Sequence, residues 1–309
     1  MSAVPYLDAS ALRSLVTMDA AIDAVERAFV RDDTDVPPRA HLAAGPGELL
    51  LMPASAPAGT GVKLVTVNPD NPRAGKPLIS GVYVLFDVLS LEPALILDGA
   101  ALTALRTPAV SAVATKHLSR EDARTLVVFG AGTQARGHIE AMRAVRPVES
   151  VTVVARSQSS ATELAAGVGG RAGSPDDVAG ADLVCTCTTS ARPLFDGSSL
   201  AAGAHVNAVG AYKPHARELD DTTIARASVV VEDRAAALAE AGDLIMPVDS
   251  GVLDPATVAE LRDLVRGSYR PVPDKDVTVF KSVGLASEDL AVAAAARDAL
   301  RQTGGSGSY

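Results

Sequence analysis

Three cations stand in apolar or proline-rich stretches of the first 110 residues, where charged side chains are unexpected. Lys63 lies within the strand-like run Gly61–Val67, Arg39 follows two prolines and leads into a strand, and Arg106 precedes a threonine–proline pair. A lysine flanked by valine and leucine is costly to bury alone, so we expect it to meet an anion or to have a lowered pKa. Each cation taken alone is equally consistent with an exposed or salt-bridged residue. Together they form a candidate site for a small carboxylate or phosphate.

The surroundings of Arg106 predict a helix start. Thr107 has the side chain of a helix N-cap, and Pro108 is typical of a first helical turn. The first N–H groups of a helix have no intrahelical partner and attract anions. An arginine beside them would complete a pocket for a carboxylate or a phosphate.

A second site is predicted where a strand-like run turns into a helical one. Residues 125–135 are TLVVFGAGTQA, a strand followed by the pattern GxGxxA within a βαβ unit. In this context Gly130 allows the tight turn, Gly132 lets a pyrophosphate approach the backbone, and Ala135 permits close helix–strand packing. An ordinary glycine turn is the alternative. The candidate cofactor-binding residues of this turn are Gly130, Gly132, Thr133, Gln134 and Ala135.

The end of the next strand indicates which dinucleotide is bound. NAD sites usually place an acidic residue there to bind the ribose 2′-hydroxyl. Here the run Val151–Ala155 is followed by Arg156 and Ser157. A guanidinium fits a 2′-phosphate, with the serine as a second donor, so the pattern predicts NADP(H) in preference to NAD(H). The alternative is a solvated surface arginine.

Two threonines at the end of a later strand are further candidates for the cofactor site. Thr186 and Thr188 follow the apolar run that begins at Leu183. The carboxyl ends of parallel strands line the cofactor crevice in such folds. A threonine-rich strand end without a ligand is the alternative.

Composition and charge exclude several classes of protein. The 309 residues are 48% hydrophobic and 21% charged, which excludes a disordered chain, and their number predicts about two domains. The net charge of −9 argues against nonspecific binding to nucleic acid or to anionic membranes. Two cysteines, Cys185 and Cys187, are too few for a disulfide framework or a cysteine-built zinc site, and we expect no metal. With no recognisable signal peptide or membrane span, we expect a cytoplasmic protein.

The pattern of strand-like and helix-like runs changes near residue 120. Before it, a helical pattern capped by Thr17 precedes four short strand-like runs, which predict an antiparallel sheet, and then a helical stretch to about Leu118. These runs are Glu48–Met52, Gly61–Val67, Ile79–Phe86 and Ala94–Leu97. After Arg124, strand-like and helix-like runs alternate, which predicts a parallel sheet covered on both faces. We therefore expect an α/β protein with a Rossmann-type parallel-sheet domain and a separate α+β domain.

Three elements are predicted after Gly251. They are a helix over Pro255–Val265, a strand over Val277–Phe280 and an alanine-rich helix over about Ser287–Leu300. The tail GGSGSY is expected to be disordered.

Four sequence blocks together resemble the ornithine cyclodeaminase/μ-crystallin family. They are Arg106–Ser111, the turn Gly130–Ala135, Asn207–Gly210 with Arg217–Asp220, and Val279–Asp289. The similarity extends from the first helix to about residue 300. It implies a homodimer, with a substrate-binding and dimerisation domain formed by residues 1–118 and 286–309 and a Rossmann domain formed by residues 119–285.

The resemblance also implies residue roles. Arg39 and Arg106 would hold a substrate carboxylate, and Lys63 would lie beside the reacting nitrogen or carboxylate. Lys63 and Arg106 are thus the candidate catalytic residues. The same blocks extend the candidate cofactor-binding set to Val209, Lys281, Ser282 and Gly284.

One departure from the family pattern separates its possible activities. Cyclodeaminases carry an aspartate two residues beyond the glycine at Gly210, where this chain has Tyr212, a candidate substrate-binding residue. The Pro77–Leu78 pair likewise lacks the hydroxyl of a cyclodeaminase Pro-Thr. Members with a Gly-Ala-x-x-Pro segment and an arginine after the second strand are more similar to NADPH-dependent reductases of cyclic ketimines.

The sequence therefore predicts an NADP(H)-dependent reductase of a small cyclic α-imino acid of the pyrroline-2-carboxylate type. Three alternatives stay open at this point. They are an ornithine cyclodeaminase-type lyase, a dehydrogenase of an open-chain amino acid such as alanine or of an opine, and an NADP-dependent small-molecule binding protein.

Overall fold

A computed structural model describes residues 4–31, 33–272 and 275–304. The strands are β1 Tyr6–Leu7, β2 Ala40–Ala44, β3 Gly47–Ala56, β4 Gly59–Val67, β5 Ile79–Phe86, β6 Pro93–Asp98, β7 Thr125–Phe129, β8 Ser150–Val154, β9 Arg171–Ala172, β10 Leu183–Thr186, β11 His205–Ala208, β12 Ala227–Val231, β13 Ala259–Glu260 and β14 Val277–Lys281. The helices are α1 Ala9–Leu15, α2 Met18–Val30, α3 Gly99–Leu118, α4 Thr133–Val145, α5 Gln158–Val168, α6 Asp221–Arg226, α7 Arg234–Glu240, α8 Gly242–Asp249, α9 Leu261–Val265 and α10 Ala286–Gly304. Apart from Gly304, the tail predicted to be disordered lies outside the described residues.

The chain forms two compact units. The first unit is formed by two segments, the residues up to Arg106 and those from Leu285 onward, and the second unit spans Thr107–Gly284. Each has its own sheet, one mixed and one parallel, so the predicted α/β class is confirmed. In the described part of the chain, every helix is too short or too polar to cross a membrane.

The first unit is built on a six-stranded sheet in the order β1-β6-β5-β4-β3-β2. Strands β2 to β6 pair antiparallel, as the proline-separated runs predict. Only β1, which the sequence did not reveal, lies parallel to its neighbour β6. One cross-strand row joins Met52, Lys63, Tyr83 and Leu97, all buried, because directly paired residues point to the same face. Helix α10 packs against β3, β4 and β5.

The predicted helix start at Thr107 is wrong. The helix begins at Gly99, where the Asp98 carboxylate accepts hydrogen bonds from the N–H groups of Ala100 and Ala101, both at 2.9 Å. Pro108 therefore lies inside the helix, where it removes one intrahelical hydrogen bond. The helix continues because its second half is almost wholly buried, and that burial outweighs the lost bond. The predicted N-cap at Thr17, in contrast, is confirmed, since its hydroxyl accepts from Ala20 N–H.

The second unit contains an eight-stranded parallel sheet in the order β13-β12-β14-β11-β10-β7-β8-β9. The predicted alternation of strands and helices is confirmed. The order reverses between β7 and β10, and such a reversal opens a ligand-binding crevice at the carboxyl ends of the strands.

The continuous helix predicted over Pro255–Val265 is wrong. The segment is a 3₁₀ turn at Pro255–Thr257, the edge strand β13, and the short helix α9. Val258, Ala259 and Leu261 are buried. Apolar residues at this spacing fit a helix, but they fit a short edge strand followed by a turn equally well.

Candidate active site

Lys63 projects from the middle of the mixed sheet into the interior of the first unit. Its side chain is only 2% exposed. The ammonium donates to Oδ1 of Asp289 at 2.9 Å and to the Thr103 hydroxyl at 3.2 Å. The anion that the apolar flanks of this lysine require is thus a carboxylate of the same chain.

Arg106 binds the same acidic segment. Its Nη1 donates to Glu288 Oε2 at 2.7 Å, and its Nε donates to Asp289 Oδ1 at 3.2 Å. Because Asp289 Oδ1 also accepts from Lys63, one carboxylate oxygen joins the two predicted catalytic residues. Arg106 reaches it from within helix α3, not from a helix N-terminus.

No feature of the sequence marks Glu288 and Asp289 as site residues, although both lie in a block that carries the family resemblance. They occupy the first turn of α10, where acidic residues are common because they complement the helix dipole. Nothing local distinguishes such residues from ion-pair partners. In the structure both are fully buried, so two cations and two carboxylates balance in one buried cluster.

The cluster changes the acidity of its members. Burial, helped by the Arg106 charge and opposed by Asp289, lowers the pKa of Lys63 to about 8. Burial and the Asp289 charge raise the pKa of Tyr83, the cross-strand neighbour of Lys63, well above its usual value. Lys63 is therefore a proton donor suited to neutral pH, and Tyr83 stays protonated.

Arg39 lies just outside the strands of the mixed sheet. It is half-buried and immediately precedes β2. The β2–β3 pairing begins one residue later, where Ala40 lies opposite Leu51.

In the second unit, the glycine-rich turn has the geometry that a dinucleotide needs. Gly130 has a φ of +111°, and a Cβ there would lie 2.6 Å from the Cys187 carbonyl oxygen. Gly132 is the N-cap of α4, and a Cβ on it would meet no described atom within 4 Å, so this face is open. Thr133 and Gln134 begin the helix, and Ala135 is fully buried. The turn can therefore admit a pyrophosphate at a helix N-terminus.

The residues after β8 are accessible. Arg156 is exposed and, within the described residues, forms no ion pair. The Ser157 hydroxyl caps helix α5 by accepting from Ser160 N–H at 3.3 Å. Both residues follow β8, and in a Rossmann fold the residues at the end of this strand contact the 2′ substituent of the ribose.

The predicted threonines face inward. The Thr186 side chain is fully buried, and its hydroxyl donates to Glu218 Oε2 at 2.8 Å. The Thr188 hydroxyl donates to the other oxygen of Glu218 at 2.7 Å. Val209 continues β11, with its N–H bound to the Thr186 carbonyl. Glu218 belongs to the Arg217–Asp220 block, but nothing in the sequence assigned it a role.

Other groups of the second unit also bind Lys281, Ser282 and Gly284. The Lys281 ammonium is fully buried, lies 2.9 Å from Asp243 Oδ2 and donates to the Ala211 carbonyl. Ser282 is buried, and Gly284 N–H donates to a carboxylate oxygen of Glu232. Tyr212 is half-buried, with the Lys213 ammonium 5.8 Å from its ring centroid.

His205 and Cys185 are buried structural residues. Burial lowers the pKa of His205 to about 3, so this imidazole is neutral and hydrogen-bonds Thr278 and Asn207. Burial raises the pKa of the Cys185 thiol to about 12. Neither group is suited to acid or nucleophilic chemistry at neutral pH.

Comparison with known proteins identifies the family. The pattern of the ornithine cyclodeaminase/mu-crystallin family matches residues 6–304. This chain belongs to that family. The resemblance carried by the four sequence blocks is thereby confirmed.

Proteins similar to this chain have more than one activity. A Delta(1)-pyrroline-2-carboxylate reductase of Bacillus cereus is 38% identical over 93% of this chain and 94% of its own. The structure of Thermococcus litoralis Delta(1)-pyrroline-2-carboxylate reductase with NADH and L-proline has a TM-score of 0.93 and 32% identity, covering 97% of this chain and 98% of its own. An archaeal alanine dehydrogenase dimer with bound NAD has a TM-score of 0.92 and 28% identity, covering 99% and 98%.

Proposed function

We propose that this protein is a nicotinamide-dependent reductase that converts a small cyclic α-imino acid of the pyrroline-2-carboxylate type to the amino acid. The observation that carries the proposal is the buried Lys63 ammonium, whose pKa is about 8 and which shares Asp289 with Arg106. A ketimine accepts hydride more readily once its nitrogen is protonated, so a proton donor beside a carboxylate-binding arginine is the arrangement that this reaction needs. The reductase relatives support the same substrate class.

Different residues of the first unit bind the substrate and donate the proton. Arg106 and Arg39 bind the substrate carboxylate, and Lys63 donates a proton to the imine nitrogen. A third carboxylate entering a cluster of two cations and two carboxylates needs a third cation, and Arg39 supplies it. Asp289 holds the Lys63 ammonium in place and keeps its pKa from falling further.

The second unit fits a nicotinamide dinucleotide. Gly130 and Gly132 leave the backbone open for a pyrophosphate, and the bound nicotinamide would supply the hydride. Arg156 favours NADP(H), because an exposed guanidinium with no ion-pair partner among the described residues can bind a 2′-phosphate. The other residues proposed to contact or frame the cofactor are Thr133, Gln134, Ala135, Ser157, Thr186, Thr188, Val209, Lys281, Ser282 and Gly284.

We further propose that the active form is a cytoplasmic homodimer. Strand β2 is an edge strand whose five residues are all exposed, and Leu42 within it is 58% exposed. An apolar sheet edge of this kind needs a covering partner. The two free cysteines suit a reducing compartment.

Oxidation of an open-chain amino acid such as alanine is the second candidate function, because an archaeal alanine dehydrogenase has nearly the same fold. A cyclodeaminase is disfavoured, since Tyr212 replaces the aspartate and a phenol of ordinary pKa about 10 is a poor base at neutral pH. A small-molecule binding protein would share Lys63 and Arg106 and would differ only in turnover.

The deciding experiment offers three substrates in parallel: pyrroline-2-carboxylate with NADPH, pyruvate and ammonia with NADPH, and ornithine with NAD. We expect rapid NADPH oxidation and proline in the first reaction. Preferred turnover of pyruvate would favour the alanine dehydrogenase. Ammonia and proline from ornithine without net cofactor change would establish a cyclodeaminase, and tight ligand binding with no turnover would establish a binding protein.

A further inference from the structure

One buried carboxylate in the second unit gathers five hydrogen-bond donors. Glu218 Oε1 accepts from the N–H and the hydroxyl of Thr188, at 2.8 and 2.7 Å. Its Oε2 accepts from Gly210 N–H at 2.7 Å, from Ala211 N–H at 3.3 Å and from the Thr186 hydroxyl at 2.8 Å. The side chain is fully buried. Since three of the five donors are backbone N–H groups, the ionised carboxylate matches its surroundings and a protonated acid would not.

These donors come from two adjacent segments of the sheet's carboxyl edge. Thr186 ends β10 and leads to Thr188, while Gly210 and Ala211 follow β11. The segments touch, because a Cβ on Gly210 would lie 2.0 Å from the Thr188 carbonyl oxygen. In a sheet of this order, β7 and β8 serve the adenosine half of a dinucleotide, and β10 and β11 serve the other half.

The backbone of Glu218 is itself held by Asp243 of helix α8. Asp243 Oδ1 accepts from the N–H groups of Glu218 and Leu219, at 2.7 and 2.8 Å. The other Asp243 oxygen lies 2.9 Å from the ammonium of Lys281, which ends β14. Burial raises the pKa of Glu218, while the Lys281 charge and the Thr188 hydrogen bonds oppose that shift. The carboxylate is thus kept in one position by a network of buried charges.

We propose that Glu218 is a positioning residue that fixes the nicotinamide half of the cofactor crevice by holding the segments after β10 and β11 together. Glu218 has no exposed surface and acts on the cofactor only through those segments. The inference rests on the proposed binding of a nicotinamide dinucleotide and adds a residue and a role to it.

The test replaces Glu218 with glutamine. An amide of the same shape has one acceptor oxygen, so its NH₂ group must face the N–H of either Thr188 or Gly210. We expect the variant to bind NADPH and NADH about ten- to a hundredfold more weakly in fluorescence titrations. Binding of adenosine 2′,5′-bisphosphate, which probes only the adenosine half, should change less than about twofold by calorimetry.

Asp182 provides a matched control. It immediately precedes β10, and its carboxylate accepts from Arg124 N–H, Thr125 N–H and the Thr125 hydroxyl at 2.8 to 2.9 Å. Like Glu218, Asp182 is a carboxylate that accepts from backbone N–H groups and a threonine hydroxyl next to β10, but it lies at the amino edge of the sheet. Asp182→Asn should lower Tm and leave the affinity for both the dinucleotides and the bisphosphate at the wild-type value.

A milder variant covers the case in which Glu218→Gln does not fold. Thr186→Val removes one donor to Glu218 while keeping the shape of a side chain that is fully buried. It should weaken dinucleotide binding several-fold and spare the bisphosphate.

The outcomes separate this inference from the proposed function. Equal loss of dinucleotide and bisphosphate binding, or unchanged dinucleotide binding in both Glu218→Gln and Thr186→Val, would overturn the positioning role alone. A wild-type protein that binds neither NADPH nor NADH would overturn the cofactor assignment and this inference with it.

Discussion

The Lys63 ammonium lies 2.8 Å from Oδ2 of Asp289, a residue 226 positions further along the chain. Strand β4 supplies the cation and the first turn of α10 supplies the anion. Both side chains are buried, so the pair interacts with little screening by solvent. The proposed proton donor is thus set by a contact between the two sequence segments that form the first unit.

Replacing Lys63 with methionine should lower kcat for imine reduction by about 10²–10⁴, because the proton donor is lost. It should also destabilise the fold by about 3–5 kcal/mol, since the Asp289 carboxylate loses one buried partner. The double variant Lys63→Met/Asp289→Asn removes that unpaired charge. We expect it to recover much of the lost Tm and none of the lost kcat. Recovery of kcat would show that Lys63 is not the proton donor.

The rate should depend on pH through Lys63. Its protonated form is the active one and its pKa is about 8, so kcat/KM should be level below pH 7 and fall as the pH rises through about 8. The charged groups around it are Arg106 from α3, and Glu288 and Asp289 from α10; Tyr83 on β5 stays neutral. In Asp289→Asn the attraction that supports the ammonium is lost, and the falling limb should move to lower pH. A limb that stays in place would assign the titration to another group.

Arg106→Ala should raise KM for the imino acid at least tenfold, because a buried carboxylate without its arginine loses about 2–5 kcal/mol. Affinity for NADPH, measured by fluorescence titration, should stay near the wild-type value. Since the variant also leaves Glu288 and Asp289 with less positive charge, Arg106→Ala/Glu288→Gln serves as the control that restores the balance. An unchanged KM in both variants would remove Arg106 from the substrate site.

Arg156→Ala should weaken NADPH binding about ten- to a hundredfold and leave NADH binding nearly unchanged, because only NADPH carries the 2′-phosphate that the guanidinium binds. Arg171→Ala is the control, an exposed arginine on the neighbouring strand β9 that pairs with Asp177. It should leave both affinities unchanged. A wild-type protein that binds NADH more tightly than NADPH would contradict the proposed preference.

Light scattering at micromolar concentration should give a particle of twice the 31.5 kDa chain mass. Leu42→Lys places a charge on the exposed edge strand β2 and should shift the particle toward the monomer. Leu89→Lys, at an equally apolar and even more exposed position in the loop between β5 and β6, should leave the mass unchanged. A monomeric wild type would rule out the dimer.

The sequence by itself determined the elements whose signals are local. The glycine spacing from Gly130 to Ala135 predicted the strand–turn–helix because backbone geometry at each step depends on neighbouring residues. Thr17 predicted its helix cap for the same reason. The sequence also pointed to Lys63, Arg106 and Arg156, since a cation in an apolar run, before a threonine–proline pair or at a strand end is visible without coordinates.

Only the tertiary structure decided what those cations meet. Pro108 is a local signal for a helix start, yet burial of the surrounding helix keeps it in the interior, so the helix N-terminus predicted beside Arg106 is not there. The partners of Lys63, and the Thr186 and Thr188 donors to Glu218, come from segments 30 or more residues away in sequence. Ion pairing and desolvation depend on distance in space, and no periodicity or spacing along the chain encodes that distance.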